Sequence, residues 1–500
     1  MAGAQLIGLA IAQAGQIAAL TESNEQLRAA NEQLRAANEQ LGAKLARLEH
    51  LLSPNSGNSS MPPSRDHDPG KTPPPRKQPS RGGPVRKRGK QPGARGSHLD
   101  WADTADDYQD LFPKGRCECG RDLAEARDLG IVDRYQQHEI PLVSVTVTQY
   151  DSHQVRCGCG RTHTAARPAG ARSGSVEYGP NLQAFAVYLM VMHFVPAHRC
   201  VELLESLTGA APSVGFVHGL LARASTLLDQ AHKRIATLIT GSYAVCCDET
   251  PLRVGSKTPK AGRKKAEKYL LVACTGLYTH YLLGNRDLDT FQAFVFKDLT
   301  GSVIVHDRYQ NYDSLALGEL THQLCCQHLC RDLDAAAEVY PNAEWAPQIA
   351  RALRGLIHQA NLARTAGQAA IDTATGEELI REFKDGVRVG LSETTQHGQR
   401  PGERQARLLL EVLRDRQDDV LRFTNDLRVP PTSNQAERDL RPAKTQQKIS
   451  GRLTSEARTG DRYRIRGYLS TATKHGRNAM DALREAILGQ PWMPPDAVPA

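Results

Sequence analysis

Three acidic residues follow or lie within segments that predict regular structure, and their carboxylates are suited to hold divalent cations. Asp248 follows the apolar stretch YAVCC, Asp307 follows SVIVH, and Glu437 lies in the helix-forming segment SNQAERDL. Hard ions such as Mg²⁺ and Mn²⁺ prefer oxygen ligands. Two such ions together activate a hydroxyl nucleophile and stabilise an oxyanion leaving group. We therefore predict a two-metal site in which Asp248 bridges both ions, Asp307 binds one and Glu437 the other.

Each of these acids also has a purely structural interpretation. Asp248 could cap a turn, with the neighbouring Glu249 as the ligand instead. Asp307 could be a turn residue, with Asp313 as its rival. Glu437 follows an asparagine at the spacing of a capping box. If Asp248, Asp307 and Glu437 are the metal ligands, substitution of Glu249 or Asp313 should cost far less activity than substitution of any of these three acids.

Four cysteines form two matched pairs, Cys117-Glu-Cys119-Gly and Cys157-Gly-Cys159-Gly. Four thiolates can close a tetrahedral zinc site, and a glycine after each pair suits a tight turn. The usual zinc spacing has two residues between the cysteines, whereas here there is one. His163 is an alternative ligand, and four free thiols in a small β-module are the alternative to zinc.

The elements that must position the acids are predicted from hydrophobic periodicity. Residues 241–340 predict three strands, a helix at 288–299 and two further strands, with Asp248 and Asp307 at strand ends. Open α/β sheets bind ligands beyond their strand ends. This order is that of a ribonuclease-H-like α/β catalytic domain, which we assign to residues 241–480, with a helical insertion at about 341–430.

The preceding regions complete a multidomain α+β protein. Residues 171–240 are predicted to be helical. A helix-turn-helix is predicted within them from HRCVELLESL, TGAAP and SVGFVHGLLARA, with Ser213 as the N-cap of the second helix. Such a helix pair either reads DNA or belongs to a plain α-domain. Residues 99–170 form the zinc-knuckle-like β-module, with a strand predicted in EIPLVSVTVTQYDSHQV. Residues 53–98 are a proline-rich, basic, disordered linker, and residues 481–500 are a C-terminal tail.

The first 52 residues predict a coiled coil. Leu20, Leu27, Leu34, Leu41 and Leu48 recur every seven residues, and asparagines recur three residues before three of these leucines. Leucine at position d and asparagine at position a favour one register and a low oligomer number. We expect a homodimer or a higher oligomer, although a lone amphipathic helix packed on its own domain would show a similar pattern.

The net charge of +8 is unevenly distributed and indicates a polyanionic partner. Residues 65–98 carry +8 and residues 437–478 carry +7, so the remainder of the chain carries −7. Two basic blocks on an otherwise acidic protein favour nucleic acid over a merely solvated surface. The residues expected to contact phosphates are Arg438, Arg441, Lys444, Lys448, Arg452 and Arg462, together with Arg86, Lys87 and Arg88 of the linker.

Composition excludes several other classes of protein. The longest apolar run, Ala184 to Met192, is too short for a membrane span, and the first residues lack the basic start of a secretory signal. Eleven cysteines, an odd number, suggest reduced thiols and metal ligands rather than a disulfide framework. We expect a location in the bacterial cytoplasm or nucleoid.

The ordered motifs together resemble insertion-sequence-66-type transposases, which are DDE-type enzymes. The resemblance rests on Asp248-Glu249-Thr250-Pro251, on His306-Asp307-Arg308-Tyr309 and on Asn434-x-x-Glu437-Arg438-x-Leu440-Arg441-Pro442, and the segment 51–66 is similar to the signature that follows the coiled coil in that family. It implies Mg²⁺-dependent strand cleavage at element ends and strand transfer into target DNA, with the same three acids as ligands. It also implies double-stranded DNA and accessory proteins of the element as partners.

The chain departs from the pattern of that family in three places. The cysteine pairs are shortened, the asparagine pair before the glutamate is Ser433-Asn434, and the motif after the last strand reads His328-Leu329-Cys330-Arg331. The resemblance implies that His328, Arg331 and Asn434 support the metal ligands from the second shell. The shortened cysteine pairs put zinc in doubt, whereas the other two departures leave the acids intact.

Two further functions are consistent with the motifs. A transposase-derived regulatory protein would bind DNA without catalysis, but it has no need of three acids. A general nuclease of the same fold would need neither a coiled coil nor a cysteine module. We therefore favour the transposase.

Deletion of residues 1–52 is expected to lower the mass of the protein in solution, because the heptad leucines need a partner surface. The catalytic domain should remain folded. Light scattering of both proteins measures this. A monomeric mass before and after the deletion would contradict the coiled-coil prediction.

Substitution of Cys117 and Cys157 by serine is expected to remove about one zinc ion per chain, because a tetrahedral site cannot close with two thiolates. Metal analysis of the purified proteins measures this. An unchanged zinc content would show that the cysteines hold none.

Overall fold

The computed structural model describes residues 2–52, 99–140, 143–171, 174–258, 267–299, 301–395 and 402–496. The chain divides into two compact units. The larger contains residues 1–75, 148–206 and 210–500, and the smaller contains residues 76–147 and 207–209. The linker predicted at 53–98, with Arg86, Lys87 and Arg88, lies outside the described residues.

The smaller unit is mostly irregular. Its helical turn, a 3₁₀ helix at Leu123–Glu125, is capped by Asp122, whose carboxylate accepts a hydrogen bond from the Ala124 amide at 3.0 Å. The strand predicted over 139–155 is wrong for most of its length, because residues 143–153 form no strand. Their alternating pattern has no neighbouring strand to pair with, and a strand needs such a partner for its backbone hydrogen bonds.

The N-terminal segment is a continuous helix, α1 (Ala2–Leu52). Four of its heptad leucines are solvent-exposed; Leu20, Leu27, Leu34 and Leu41 are each 59–66% exposed. Self-association of this helix remains a prediction. Among the described helices, none combines the length and the hydropathy that a bilayer crossing requires.

A short antiparallel hairpin and the expected helical region follow. The hairpin pairs β1 (Gln154–Arg156) with β2 (Thr162–Thr164). The predicted capping of the fourth helix by Ser213 is confirmed, because its hydroxyl accepts a hydrogen bond from the Phe216 amide at 3.1 Å. The helices are α2 (Pro180–Met192), α3 (Ala197–Thr208), α4 (Val214–Leu227) and α5 (Asp229–Thr240).

A five-stranded mixed sheet forms the centre of the larger unit. Its order is β5-β4-β3-β6-β7; β3–β4 and β4–β5 are antiparallel, whereas β3–β6 and β6–β7 are parallel. The first predicted strand runs on past its expected end, so Asp248 lies within it, because residues 246–252 pair with β4. The strands are β3 (Ala244–Leu252), β4 (Lys268–Cys274), β5 (Thr279–Gly284), β6 (Val303–His306) and β7 (Thr321–Leu324).

Helices cover both faces of the sheet, and the described part of the range predicted as a helical insertion contains four helices. The predicted helix at 288–299 is shorter, ending at Ala293, with a 3₁₀ turn at Phe296–Asp298 after it. The boundary predicted for the C-terminal tail falls inside a helix whose Ala482, Leu483 and Ile487 are buried. The helices are α6 (Leu288–Ala293), α7 (Cys326–Val339), α8 (Trp345–Thr365), α9 (Thr373–Glu393), α10 (Glu403–Asp415), α11 (Gln417–Asn425), α12 (Asn434–Ile449), α13 (Glu456–Lys474) and α14 (Ala479–Ile487).

Candidate active site

Asp248 and Glu249 are neighbours in β3, so the pleat of this strand directs their side chains to opposite faces of the sheet. Successive strand residues point to opposite faces of a sheet. Val245 and Cys247 belong to the core formed with α2, α4, α5 and α13, whereas Cys246 and Leu252 belong to the core formed with α7 and α12. Asp248 therefore faces α7 and α12, and Glu249 faces the opposite side.

The register of the parallel pair places Asp248 beside Asp307. The β3–β6 pairing ends at Cys246 opposite Val305, and each acid lies two residues further along its strand direction. Burial raises the pKa of Asp248 well above its ordinary value, and the carboxylates of Glu249 and Asp307 raise it further. The Asp307 carboxylate accepts a hydrogen bond from the Tyr309 amide at 2.8 Å, which fixes its orientation. The two acids thus form a partly buried pair of like charges, which a cation would stabilise.

Glu437 reaches the same neighbourhood from the first turn of α12. Its Oε1 lies 2.8 Å from Nη2 of Arg331 and 3.8 Å from Nε2 of His328, both on α7. The charge of His328 also acts on Asp248 and lowers its pKa, although burial outweighs it. Because the Glu437 carboxylate points to Arg331, this contact favours a role in the site over a helix cap.

Lys444 interacts electrostatically with Asp248 and Glu437. The sequence pattern did not reveal this role and assigned the residue only to phosphate binding. Burial lowers the pKa of Lys444, and the charges of Asp248 and Glu437 oppose this shift. Its ammonium group is therefore near both carboxylates. The signal in the sequence is the spacing, since Glu437 and Lys444 are seven residues apart and share one helix face.

The three acids form one charged neighbourhood that is looser than a closed metal site. Within the described ranges, the one group with three ligand atoms within 4.8 Å of one another is His306, Asp313 and His322. Repulsion between Asp248 and Asp307 opposes closer approach of the trio. The donor set itself, three carboxylates, is of the kind that Mg²⁺ or Mn²⁺ binds.

The two rival acids have structural partners. Glu249 is 2% exposed, pairs with Arg286 at 2.6 Å and accepts a hydrogen bond from the Tyr312 hydroxyl at 2.9 Å. Burial and the charge of Asp307 raise its pKa. Asp313 is paired with Arg416 at 2.9 Å. Glu249→Gln would break this largely buried ion pair and lower stability, so the expectation that it costs far less cleavage activity than the three acids stays a prediction.

α12 is anchored to the sheet by a buried ion pair that the sequence did not reveal. Nζ of Lys474, on α13, lies 2.9 Å from Asp439 and 2.6 Å from the Thr279 hydroxyl. The Tyr281 hydroxyl donates to the backbone carbonyl of Asp439 at 2.6 Å. Since Asp439 is two residues after Glu437, this network fixes the first turn of α12 on β5.

The predicted DNA-contacting residues separate into two groups. Arg438, Arg441 and Lys448 are exposed along one stripe of α12, with Asn434 before them and Thr445 between Arg441 and Lys448. Asn434 is exposed, so no contact places it behind a metal ligand. Arg462 is 7% exposed and donates a hydrogen bond to the Met190 carbonyl, and Arg452 donates to the Ser256 carbonyl at 3.0 Å. Burial therefore removes Arg462 from the set that meets phosphates.

Each cysteine pair forms the same tight turn. The Cys117 amide donates to the Arg121 carbonyl at 2.9 Å, and the Cys157 amide donates to the Arg161 carbonyl at 2.8 Å. The glycine that ends each turn has a φ near +90°, a conformation that other residues rarely adopt. Hydrogen bonds from Cys119 and Cys159 lower the pKa values of Cys117 and Cys157, respectively. In each turn these hydrogen bonds stabilise the charged form of the first thiol relative to an isolated cysteine.

Comparison with known proteins gave two family matches. The model of the Transposase IS66 family matches residues 175–460, more than half of the chain. The model of a family of unknown function, DUF6444, matches residues 16–100. The comparison with curated proteins gave no match.

One solved structure with similarity to this chain is the Drosophila P element transposase strand transfer complex. The alignment covers 61% of this chain and 94% of that chain, with 9% sequence identity and a TM-score of 0.34. So low a score supports no conclusion about this chain.

Substitution of Lys474 by methionine is expected to lower the free energy of unfolding by about 3 kcal/mol, because it leaves Asp439 buried without its cation. Chemical denaturation measures this. Lys448→Met, at an exposed lysine of α12, is the control and should change stability by less than about 0.5 kcal/mol.

The additional substitution Asp439→Leu should restore part of the loss, since it removes the uncompensated charge. Equal stability of the Lys474→Met protein and the unmodified protein would show that the pair does not anchor α12.

Proposed function

Because the chain belongs to the Transposase IS66 family, we propose that it cleaves DNA strands at element ends and transfers them into target DNA by DDE-type catalysis. The observation that carries this proposal is that Asp248 and Asp307 follow paired positions of two parallel strands, while His328 acts on Asp248 and lies 3.8 Å from Glu437. A protein that only bound DNA would have no use for partly buried like charges, which cost stability.

The sheet supports a ribonuclease-H-like catalytic domain. Three antiparallel strands in sequence, β3, β4 and β5, are followed by two strands, β6 and β7, that add to the other edge in parallel. Asp248 lies on the central strand and Asp307 directly after its parallel neighbour. This arrangement agrees with the order of strands and acids expected for such a domain.

Asp248, Asp307 and Glu437 would be the residues that hold two Mg²⁺ or Mn²⁺ ions. When bound, the ions would activate the attacking hydroxyl and stabilise the leaving oxyanion. The attacking group in cleavage would be water, and in joining the 3′-hydroxyl of the cleaved strand. The part played by the chain is to hold its carboxylates rigidly, which the Tyr309 amide does for Asp307 and the Lys474–Asp439 pair does for α12.

Cationic side chains near the acids would orient the Glu437 carboxylate and contact the DNA. Arg331 and His328 orient Glu437 through contacts of 2.8 and 3.8 Å, so the carboxylate keeps one direction. Lys444 lies near both Asp248 and Glu437. Its ammonium group would be placed to contact a phosphate oxygen of the reacting strand.

The exposed stripe of α12 is the proposed DNA surface. Arg438, Arg441 and Lys448 span ten residues of helix, or about 15 Å, starting next to Glu437. Guanidinium and ammonium groups along such a line contact successive phosphates and position a strand without reading its sequence. DNA held on this stripe would pass directly by the acids.

The N-terminal helix and the cysteine turns complete the proposal. The exposed leucines of α1 would pair two subunits, which brings two element ends together. The zinc ion predicted from the sequence of the cysteine pairs stays a prediction. Accessory proteins of the element are expected as further partners.

Substitution of Asp248 or Asp307 by asparagine, or of Glu437 by glutamine, is expected to reduce strand cleavage and joining by orders of magnitude. Each change keeps the size of the side chain and removes the charge that the cations require. Binding to DNA should persist, because lysine and arginine contacts with phosphates supply most of the affinity. Cleavage of element-end DNA in Mg²⁺, beside a gel shift on the same DNA, measures both.

The controls are exposed acids without a structural partner in the described residues, namely Asp298→Asn and Glu319→Gln, which should leave cleavage unchanged. Near-normal cleavage by Glu437→Gln would reduce that residue to a structural role. Binding without cleavage by the unmodified protein would favour the regulatory function, and cleavage of any DNA would favour a general nuclease.

A further inference from the structure

Three potential metal ligands converge on the opposite face of the sheet from the acidic trio. His306 ends β6, His322 lies in β7, and Asp313 ends the 3₁₀ helix Gln310–Asp313. Nε2 of His306 is 3.0 Å from Nδ1 of His322, and Oδ1 of Asp313 is 3.9 Å from the same Nδ1. One ligand atom from each of the three residues lies within 4.8 Å of the other two.

A hydrogen bond between the two histidines explains only part of this geometry. Nδ1 of His322 has either one hydrogen or one lone pair, so it can serve His306 or Asp313 but not both. The distance of 3.9 Å to Asp313 is also beyond hydrogen-bond range. A cation between the three atoms would satisfy all of them at once.

The spacing and the donor types fit zinc. Zn–N and Zn–O bonds of about 2.0–2.2 Å in a tetrahedron place the ligand atoms about 3.4 Å apart. The observed separations of 3.0 and 3.9 Å lie on either side of that value. Two imidazoles also favour zinc over Mg²⁺, which prefers an all-oxygen shell.

The surroundings hold each ligand in place. His306 is fully buried, and its ring packs on Tyr312 with centroids 4.5 Å apart. Nη1 of Arg416 lies 2.9 and 3.0 Å from the two oxygens of Asp313 and orients that carboxylate. The backbone carbonyl of His322 accepts a hydrogen bond from Arg422 at 2.8 Å. Fixed ligands of this kind are typical of metal sites supported by their neighbours.

We propose that His306, His322 and Asp313 form a zinc site, separate from both the acidic trio and the cysteine turns. The Asp313 side chain is 40% exposed, so the metal reaches the site from that side and water completes its coordination. Because Asp313 lies six residues after Asp307, the zinc ion fastens the segment between them to the ends of β6 and β7. It is a structural metal and takes no part in strand cleavage.

The test counts zinc in the full-length chain with Cys117→Ser and Cys157→Ser, in which the cysteine turns cannot close a site. After loading with zinc and dialysis against Mg²⁺ buffer, metal analysis should find about one zinc ion per chain. His322→Asn in that background should reduce it to about none, and Asp313→Asn should reduce it in part. His358→Asn, at an exposed histidine of α8, is the matched control and should keep the ion.

A second measurement uses the chain with intact histidines, so its result does not depend on whether the histidine variants fold. Cobalt(II) bound to the cysteine-substituted chain should give visible absorption of a low-symmetry site without a sulfur-to-metal band in the near ultraviolet. Absence of bound metal in that chain, a thiolate band, or full retention of zinc by His322→Asn would each overturn the proposal. Because none of these readouts involves DNA, they are independent of the proposed transposase activity.

Discussion

The repulsion between Asp248 and Asp307 is the constraint on which the rest of the site depends. The parallel register of β3 and β6 brings the two acids to neighbouring positions on one face of the sheet, and burial there raises the pKa of Asp248 well above its ordinary value. Buried like charges cost stability unless positive charge lies close by. In this chain that charge comes from α7 and α12, through His328 and Lys444, and in the proposed function it comes also from divalent cations.

This constraint explains why α12 is held so firmly. A helix that carries Glu437 towards two other carboxylates is pushed away by them, and the Lys474–Asp439 pair works against this force. The salt bridge of Glu437 with Arg331 also joins α12 to α7. The electrostatic cost at the acids and the stabilising contacts of Asp439, two residues after Glu437, are therefore parts of one arrangement.

Local patterns predicted much of the fold, because the elements that carry the acids are determined by short-range periodicity. The helix of Glu437, the strand before Asp307 and the Ser213 cap follow directly from residue type and spacing. Exposure does not. Arg462 has the same charge as Arg438, yet it is buried against the Met190 carbonyl of a helix more than 250 residues away.

The same limit applies to Glu249, which the sequence cannot distinguish from Asp248 by type. The two differ through the pleat, which sends Asp248 towards α12 and Glu249 towards Arg286 and Tyr312. That difference depends on which helices cover each face, and this is long-range information. The His306–His322 contact was missed for the same reason, since it joins two strands through their parallel register.

The helical insertion interrupts the chain between Arg331 and Glu437 without separating them, because its ends are fixed to the sheet. The side chain of Gln323, in the edge strand β7, donates to the Val420 carbonyl at 3.0 Å and accepts from the Phe423 amide at 3.0 Å. These bonds dock α11 on β7 and cover an otherwise open sheet edge. The Cys326 amide then bonds to the Pro431 carbonyl at 3.0 Å, so the chain re-enters beside the start of α7. These contacts therefore help to hold the start of α12 where Glu437 meets Arg331.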